Sequence, residues 1–213
     1  IDEERESDKE VLENHANNLH HVAITMSNRG NLDNAQALFK RALKVWEKLE
    51  NQKGKSATLH QMANVFVTRG DLTGAMKLYE QALEILEGLG DLQGKIRTLA
   101  NMASVLEKSD EYKEKAFGFY VEALDLSYKL NEPFAVANVR SMMSDILIVD
   151  KGEHQNALQG LLESLNIFVE MQAEQEASST ARRLIKMREG IGAEKFDLLW
   201  REITNDSPLP DWL

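Results

Sequence analysis

Leu59-His60-Gln61-Met62-Ala63-Asn64-Val65-Phe66, followed by Arg69-Gly70-Asp71-Leu72 and then Ala75, Tyr79 and Ala82-Leu83, is the stretch whose reading decides the fold. Forty residues upstream the pattern stands as Leu19, Val22, Ala23, Met26, Gly30, Leu32, Ala35, Phe39 and Ala42, and forty downstream as Leu99, Met102, Ala103 and Leu106. After one inserted residue near Asp110 the third copy continues with Ala116, Tyr120 and Ala123. A fourth reads Val139, Met142, Met143, Ile146, Gly152, Ala157, Leu161 and Ser164. Apolar residues three and four apart predict helices, and each glycine predicts a turn between two of them. A unit this short cannot bury its apolar face alone, so four in succession predict an all-α repeat array in which each repeat packs on its neighbours.

The pattern resembles the tetratricopeptide repeat, a helix-turn-helix unit with a large apolar residue, a small one four on, a turn glycine, then Ala, aromatic and Ala. The small residues are Ala23, Ala63 and Ala103, the turn glycines Gly30, Gly70 and Gly152. The triplets are Ala35/Phe39/Ala42, Ala75/Tyr79/Ala82 and Ala116/Tyr120/Ala123. Small side chains let facing helices approach closely while the aromatic fills the wedge between repeats. The usual closing proline is absent and the repeat is longer than the common 34 residues, as in kinesin light chain, the spindle-orientation adaptors and bacterial peptide-sensing regulators. The resemblance implies a right-handed superhelical solenoid of antiparallel helix pairs. Its repeats run at about 8–50, 51–90, 91–130 and 131–171, with a cap at 174–204. An acidic lead-in, 1–6, precedes it, and a tail, 205–213, follows.

Along the chain, Ser7-Asp8-Lys9-Glu10 reads as a capping box that starts the first helix near Asp8. Asn31 or Asp33 reads as the cap of the second helix; Asn51, Asp91 and Asn131 are good N-cap residues, and Pro133 suits a first helical turn. After Val169 the pattern decays. Residues 174–189 keep a helical stripe, with Arg182 and Arg183 beside the expected small position, and Gly190-Ile191-Gly192 ends it. Phe196, Leu199, Trp200 and Ile203 predict a last short helix. This C-terminal segment, with its Pro-Leu-Pro-Asp-Trp-Leu ending, is similar to the ends of bacterial multi-repeat proteins, some of which carry a signalling NTPase domain upstream.

Composition narrows the function. The chain has 25 basic and 35 acidic residues, a net charge of −10 that disfavours nucleic acid and anionic membranes as partners. With no cysteine there is neither a disulfide framework nor a thiolate nucleophile. The acidic start is unlike a signal peptide and no run is long enough to span a membrane, so the expected location is cytoplasmic. The chain opens on Ile, which reads as a trimmed or excised segment.

Motifs of catalysis are missing. Gly54-Lys55-Ser56 and Gly90 to Gly94-Lys95 lack the earlier glycine or the hydroxyl of a phosphate-binding loop, and read as helix-junction glycines. No metal-ligand or nucleophile motif is present, and no cofactor or metal is expected. His20 and His60 stand at equivalent places on first helices, which in the resembled family face the concave groove, while His15 and His21 point to other faces. In chaperone-binding members of the family a carboxylate clamp uses basic residues and two asparagines. His60, Asn64 and Asn101 match three such places, whereas Ala137 and Ser141 stand where further cations belong. Arg97, Arg140 and Arg183 add guanidiniums suited to bidentate carboxylate recognition. The expected function is a non-enzymatic module, monomeric or weakly self-associating, that binds an acidic segment of another protein through His20, His60, Asn64, Arg97, Asn101, Arg140 and Arg183. The alternatives are a sensor arm of a larger signalling NTPase or regulator, and a self-assembling scaffold.

Overall fold

The computed structural model describes residues 2–213, with side chains from Glu6 onward. Ile1 and the side chains of most of the acidic lead-in lie outside the described residues. Within them the chain forms α1 (Asp2–Asn28), α2 (Leu32–Lys48), α3 (Gln52–Thr68), α4 (Leu72–Leu89), α5 (Leu92–Leu106), α6 (Lys113–Lys129), α7 (Pro133–Val149), α8 (His154–Glu170), α9 (Glu174–Ile191) and α10 (Ala193–Thr204), and no strand. The chain divides inside α5 into an N-terminal unit ending at Thr98 and a C-terminal unit, Leu99–Leu213. Among the described residues no helix is long and apolar enough to cross a membrane.

In the N-terminal unit α1 packs on α2 and α3 on α4, with α2 against α3. Ala23, Ala35, Phe39, Met62 and Val65 make one buried cluster, and Ala16, Leu19, Ala42 and Trp46 another. Alanines at these crossings leave room for the aromatic rings, so the burial that drives folding is concentrated on Phe39, Trp46 and Tyr79. In the C-terminal unit α7 pairs with α8, and α9 and α10 close the array. Leu158, Leu161 and Phe168 of α8, Leu184 and Met187 of α9, and Phe196 of α10 are fully covered. The tail folds back: Trp200 Nε1 donates to the Ser207 carbonyl at 2.9 Å, and Arg188, paired with Asp197 at 3.1 Å, donates to the Leu213 carbonyl.

Four local readings are corrected. Helix α1 begins at Asp2 and runs through Ser7, so Ser7 caps nothing. Asn31 precedes α2 without a side-chain cap bond, and Asp33, inside α2, pairs with Arg69. Asn131 is not an N-cap: it sits at φ 53°, and Glu132 precedes α7, with Pro133 as its first residue. The left-handed residues that close the second helices are Glu50, Gly90, Asn131 and Gln172. Their spacing is therefore 40, then 41, then 41. One inserted residue is absorbed around a 3₁₀ turn, Asp110–Tyr112, and a second in the α7–α8 turn, where residues 150–153 stand in place of the three, 69–71, that join α3 to α4. The small position of the fourth repeat is accordingly Ser144, buried like Ala63 and Ala103, and its large position is Arg140 rather than Val139.

The helix-junction glycines have a packing reason. Asn51 Oδ1 accepts from Gly54 N and Asp91 Oδ1 from Gly94 N, each at 2.8 Å, satisfying an orphan N–H of the new helix. A Cβ on Gly54 would come within 2.5 Å of Trp46 Cδ2, and one on Gly94 within 2.4 Å of Leu86 Cδ2. The indole is rigid and anchored, whereas a leucine methyl can swing aside. Gly54→Ala is therefore expected to destabilise by about 1–3 kcal/mol despite alanine's better helix propensity, and Gly94→Ala by clearly less. Urea denaturation of the two variants checks the order.

Candidate functional site

The first helices α1, α3 and α5 bring His20, Lys53, Ser56, His60, Gln61 and Arg97 around an open cleft of about 190 Å³ in the N-terminal unit. Helical spacing explains the set: Lys53, Ser56 and His60 follow one face of α3, and Gly94, Arg97 and Thr98 the facing side of α5. Each histidine is tied to the next repeat. His20 Nδ1 lies 3.0 Å from Thr58 Oγ1, and His60 Nδ1 lies 3.0 Å from Thr98 Oγ1. Both threonines are buried. Thr58 Oγ1 also donates to the Gly54 carbonyl at 2.8 Å and accepts from Trp46 Nε1 at 3.1 Å, so a hydrogen-bonded chain runs from α2 through α3 to α1.

Burial disfavours the charged ring at both positions. His60, edge-on to Tyr79 at 5.4 Å, is pushed down to about 4, by burial first and by the Arg97 guanidinium second. His20, edge-on to Phe39, is lowered by burial and then by His21. At neutral pH both rings are neutral, and the cationic character of the cleft comes from Lys53 and Arg97. Among the described residues neither makes an ion pair. Asp91, the carboxylate on the rim, is occupied with capping α5.

The other expected groove residues are placed differently. Asn64 gives Nδ2 to Gln61 at 3.1 Å and accepts the Tyr79 hydroxyl, so it braces the core beneath the cleft. In the C-terminal unit Arg140, occupying the large apolar position, pairs with Glu163, donates to the Tyr128 hydroxyl and lies over the Tyr128 ring at 5.7 Å. It thus ties α6, α7 and α8 and lines a separate cleft of about 340 Å³ with Phe117, Met143 and Leu147. Arg183 pairs with Asp145 at 2.6 Å, and Lys186 approaches the same carboxylate at 3.4 Å. Asn101 is half-buried on α5. Ala137 and Ser141 face the interior, with Ser141 Oγ 2.9 Å from Thr180 Oγ1, in the register of the His–Thr pairs. Among the described residues no group of three or more acids or histidines could hold a metal ion.

Sequence reasoning missed Lys53, Thr58 and Thr98. Their signal was present: Thr58 and Thr98 repeat at 40 residues, each 38 beyond a histidine, and a buried hydroxyl at that spacing needs a partner on the preceding first helix.

Comparison with known proteins agrees with the fold. Residues 14–88 match the family model of the tetratricopeptide repeat. No curated protein matches the chain in sequence. Among solved structures, aspartyl phosphate phosphatase F from Bacillus subtilis superposes with a TM-score of 0.68 at 13% identity, over 92% of this chain and 51% of that one. The chain thus spans about half the length of that phosphatase. BtubC (BKLC) from P. vanneervenii gives 0.60 at 18% identity, over 93% of this chain and 85% of that one. A putative kinesin light chain of nearly identical TPR-like repeats from Podosopora anserina gives 0.63 at 14% identity, over 89% and 93%. At these identities the likeness is one of fold.

Proposed function

We propose that this chain of tetratricopeptide-like repeats is a non-enzymatic interaction module, and that it holds a carboxylate-rich segment of another protein in the cleft of its N-terminal unit. The observation that carries the reading is a contrast in charge. Arg183 and Arg140 of the C-terminal unit are neutralised by Asp145 and Glu163, while Lys53 and Arg97 flank an open cleft with no carboxylate paired to either among the described residues. In a protein with ten more acids than bases, such a pair is a local positive site that favours an acidic ligand and makes binding weaken with salt. Gln61 and the rim of α3 supply polar groups for the rest of the segment. Of the residues expected from sequence, His20, His60 and Arg97 stay in the proposed site. Asn64, Asn101, Arg140 and Arg183 leave it, and Lys53 joins.

The test is fluorescence anisotropy with a labelled, blocked hexaglutamate peptide and a hexaglutamine control. Wild type is expected to bind the acidic peptide, more weakly as salt is raised, and Lys53→Glu/Arg97→Glu to lose at least tenfold in affinity with an unchanged melting temperature. Reversing the exposed Lys44 and Lys48 of α2 instead should leave binding nearly intact. Equal losses in the two double variants, or none in the first, reject the site.

A further inference from the structure

We propose that the cleft of the N-terminal unit takes up one proton, at Nε2 of His20, together with the carboxylate it binds; this rests on the acidic-ligand reading above. The inference follows from counting the hydrogens around Thr58. A threonine hydroxyl has one proton to give and two lone pairs. The proton goes to the Gly54 carbonyl at 2.8 Å, and one lone pair accepts from Trp46 Nε1, which can only donate. His20 Nδ1, 3.0 Å away, can therefore only donate to the lone pair that is left. In the neutral ring the proton is thus fixed on Nδ1, and Nε2 carries a bare lone pair. Among the described residues that nitrogen makes no hydrogen bond, and His20 is part of the cleft wall. The ring cannot turn over to present an N–H to the cleft without breaking the Thr58 contact.

A bare lone pair repels a carboxylate, and it becomes a donor to one only by gaining a proton. In the empty cleft that gain is opposed. Burial and the neighbouring His21 on α1 hold His20 below its ordinary value; of the cleft's other charges, Lys53 from α3 and Arg97 from α5 have the same sign as a charged ring and the single Asp91 carboxylate on the rim the opposite one. His60 of α3 is neutral at these pH values, Asp91 is turned to the Gly94 N–H of α5, and α2 contributes the Phe39 ring against His20 and the Trp46 indole against Thr58. A carboxylate placed between Lys53, Arg97 and His20 reverses the balance, because it offsets both cations and offers Nε2–H an acceptor. Ligand and proton then bind together, and each raises the affinity for the other. No bond is made or broken apart from the transfer of one proton from solvent to Nε2.

Calorimetric titration with the hexaglutamate peptide, at pH 7 in two cationic buffers of different ionisation enthalpy, counts the protons taken up. We expect close to one per peptide bound, and an affinity that rises by up to tenfold per unit as pH falls from 7 to 6, the slope of a single coupled proton. His20→Asn keeps a polar group near the Nδ1 position for Thr58 and removes the titrating nitrogen. It should bind the peptide more weakly than wild type, through Lys53 and Arg97, with no proton uptake and a flat pH profile. Binding by wild type without uptake, or uptake that persists in His20→Asn, overturns the inference and leaves the acidic-ligand reading standing. Failure of wild type to bind the peptide at either pH overturns both. A melting temperature within a few degrees of wild type shows that His20→Asn is folded.

Discussion

Tyr79→Ala is expected to lower the stability of the N-terminal unit by about 3–5 kcal/mol, the range for truncating a buried aromatic. The side chain is 1% exposed, and its ring meets His60 edge-on. Its hydroxyl is satisfied by Asn64, which is itself held by Gln61. Removing the ring would open a cavity where α3 and α4 pack, and the buried alanines of those helices, Ala63, Ala75 and Ala82, are too small to fill it. Tyr79→Phe isolates the hydroxyl: it should cost about 1–2 kcal/mol, because Asn64 Oδ1 would lose the Tyr79 O–H donor in a half-buried place. Tyr120, equally buried in the C-terminal unit, has Glu107 at 3.0 Å as its hydroxyl partner, and Tyr120→Ala should cost a similar amount there. Chemical denaturation of the four proteins gives the order, and a Tyr79→Ala loss below that of Tyr79→Phe would refute the packing account.

The burial of these aromatics was legible in the sequence because a buried stripe is written in spacing alone. Ala75/Tyr79/Ala82 and Ala116/Tyr120/Ala123 need no knowledge of what lies opposite. The register of the fourth repeat was not legible to the residue. The insertion near Asp110 moves α7 as well as α6, but a helix rich in apolar residues tolerates a one-residue slip in reading, and Val139, Met142 and Met143 fit the stripe almost as well as Arg140, Met143 and Ser144. The left-handed residues at 50, 90, 131 and 172 remove the ambiguity. Two of them, Glu50 and Gln172, are types that rarely take that conformation, so they carried no signal. The same slip explains the misplaced cation. Read one residue early, Arg140 falls beside the groove; in its true place it substitutes for Leu59 and Leu99 and its long stem reaches the carboxylate of Glu163. Asn64 was read correctly as polar and on a first helix. Which neighbour it would serve depends on the rotamer of Tyr79, which sequence does not encode.

Acidification from pH 7 to 4 is expected to weaken the N-terminal unit by up to about 3 kcal/mol through His60 alone. The sign follows from the direction of the shift. His60 titrates near 4 in the folded chain and near its ordinary 6.5 once unfolded. Between those values the unfolded chain holds a proton that the folded chain does not, so unfolding gains ground as pH falls. Its stabilising effect is complete above about pH 6.5 and is lost progressively down to about 4, and each unit of separation is worth about 1.4 kcal/mol. His20, lowered by burial, acts in the same direction. Glu107 of the C-terminal unit acts in the opposite one, since burial raises its carboxyl and protonation there favours the folded state. The two halves can be told apart by fluorescence. Trp46 belongs to the N-terminal unit and touches the Thr58 network, whereas Trp200 and Trp212 belong to the C-terminal unit. In a Trp200→Phe/Trp212→Phe background, denaturation followed at Trp46 should show a midpoint that drops between pH 7 and 4.5. His60→Asn, which keeps a hydrogen-bonding group for Thr98 and has no proton to gain, should be less stable at pH 7 and lose much less on acidification. An equal loss in the two proteins would mean that His60 is charged in the folded chain and that its bond to Thr98 is not the neutral contact described.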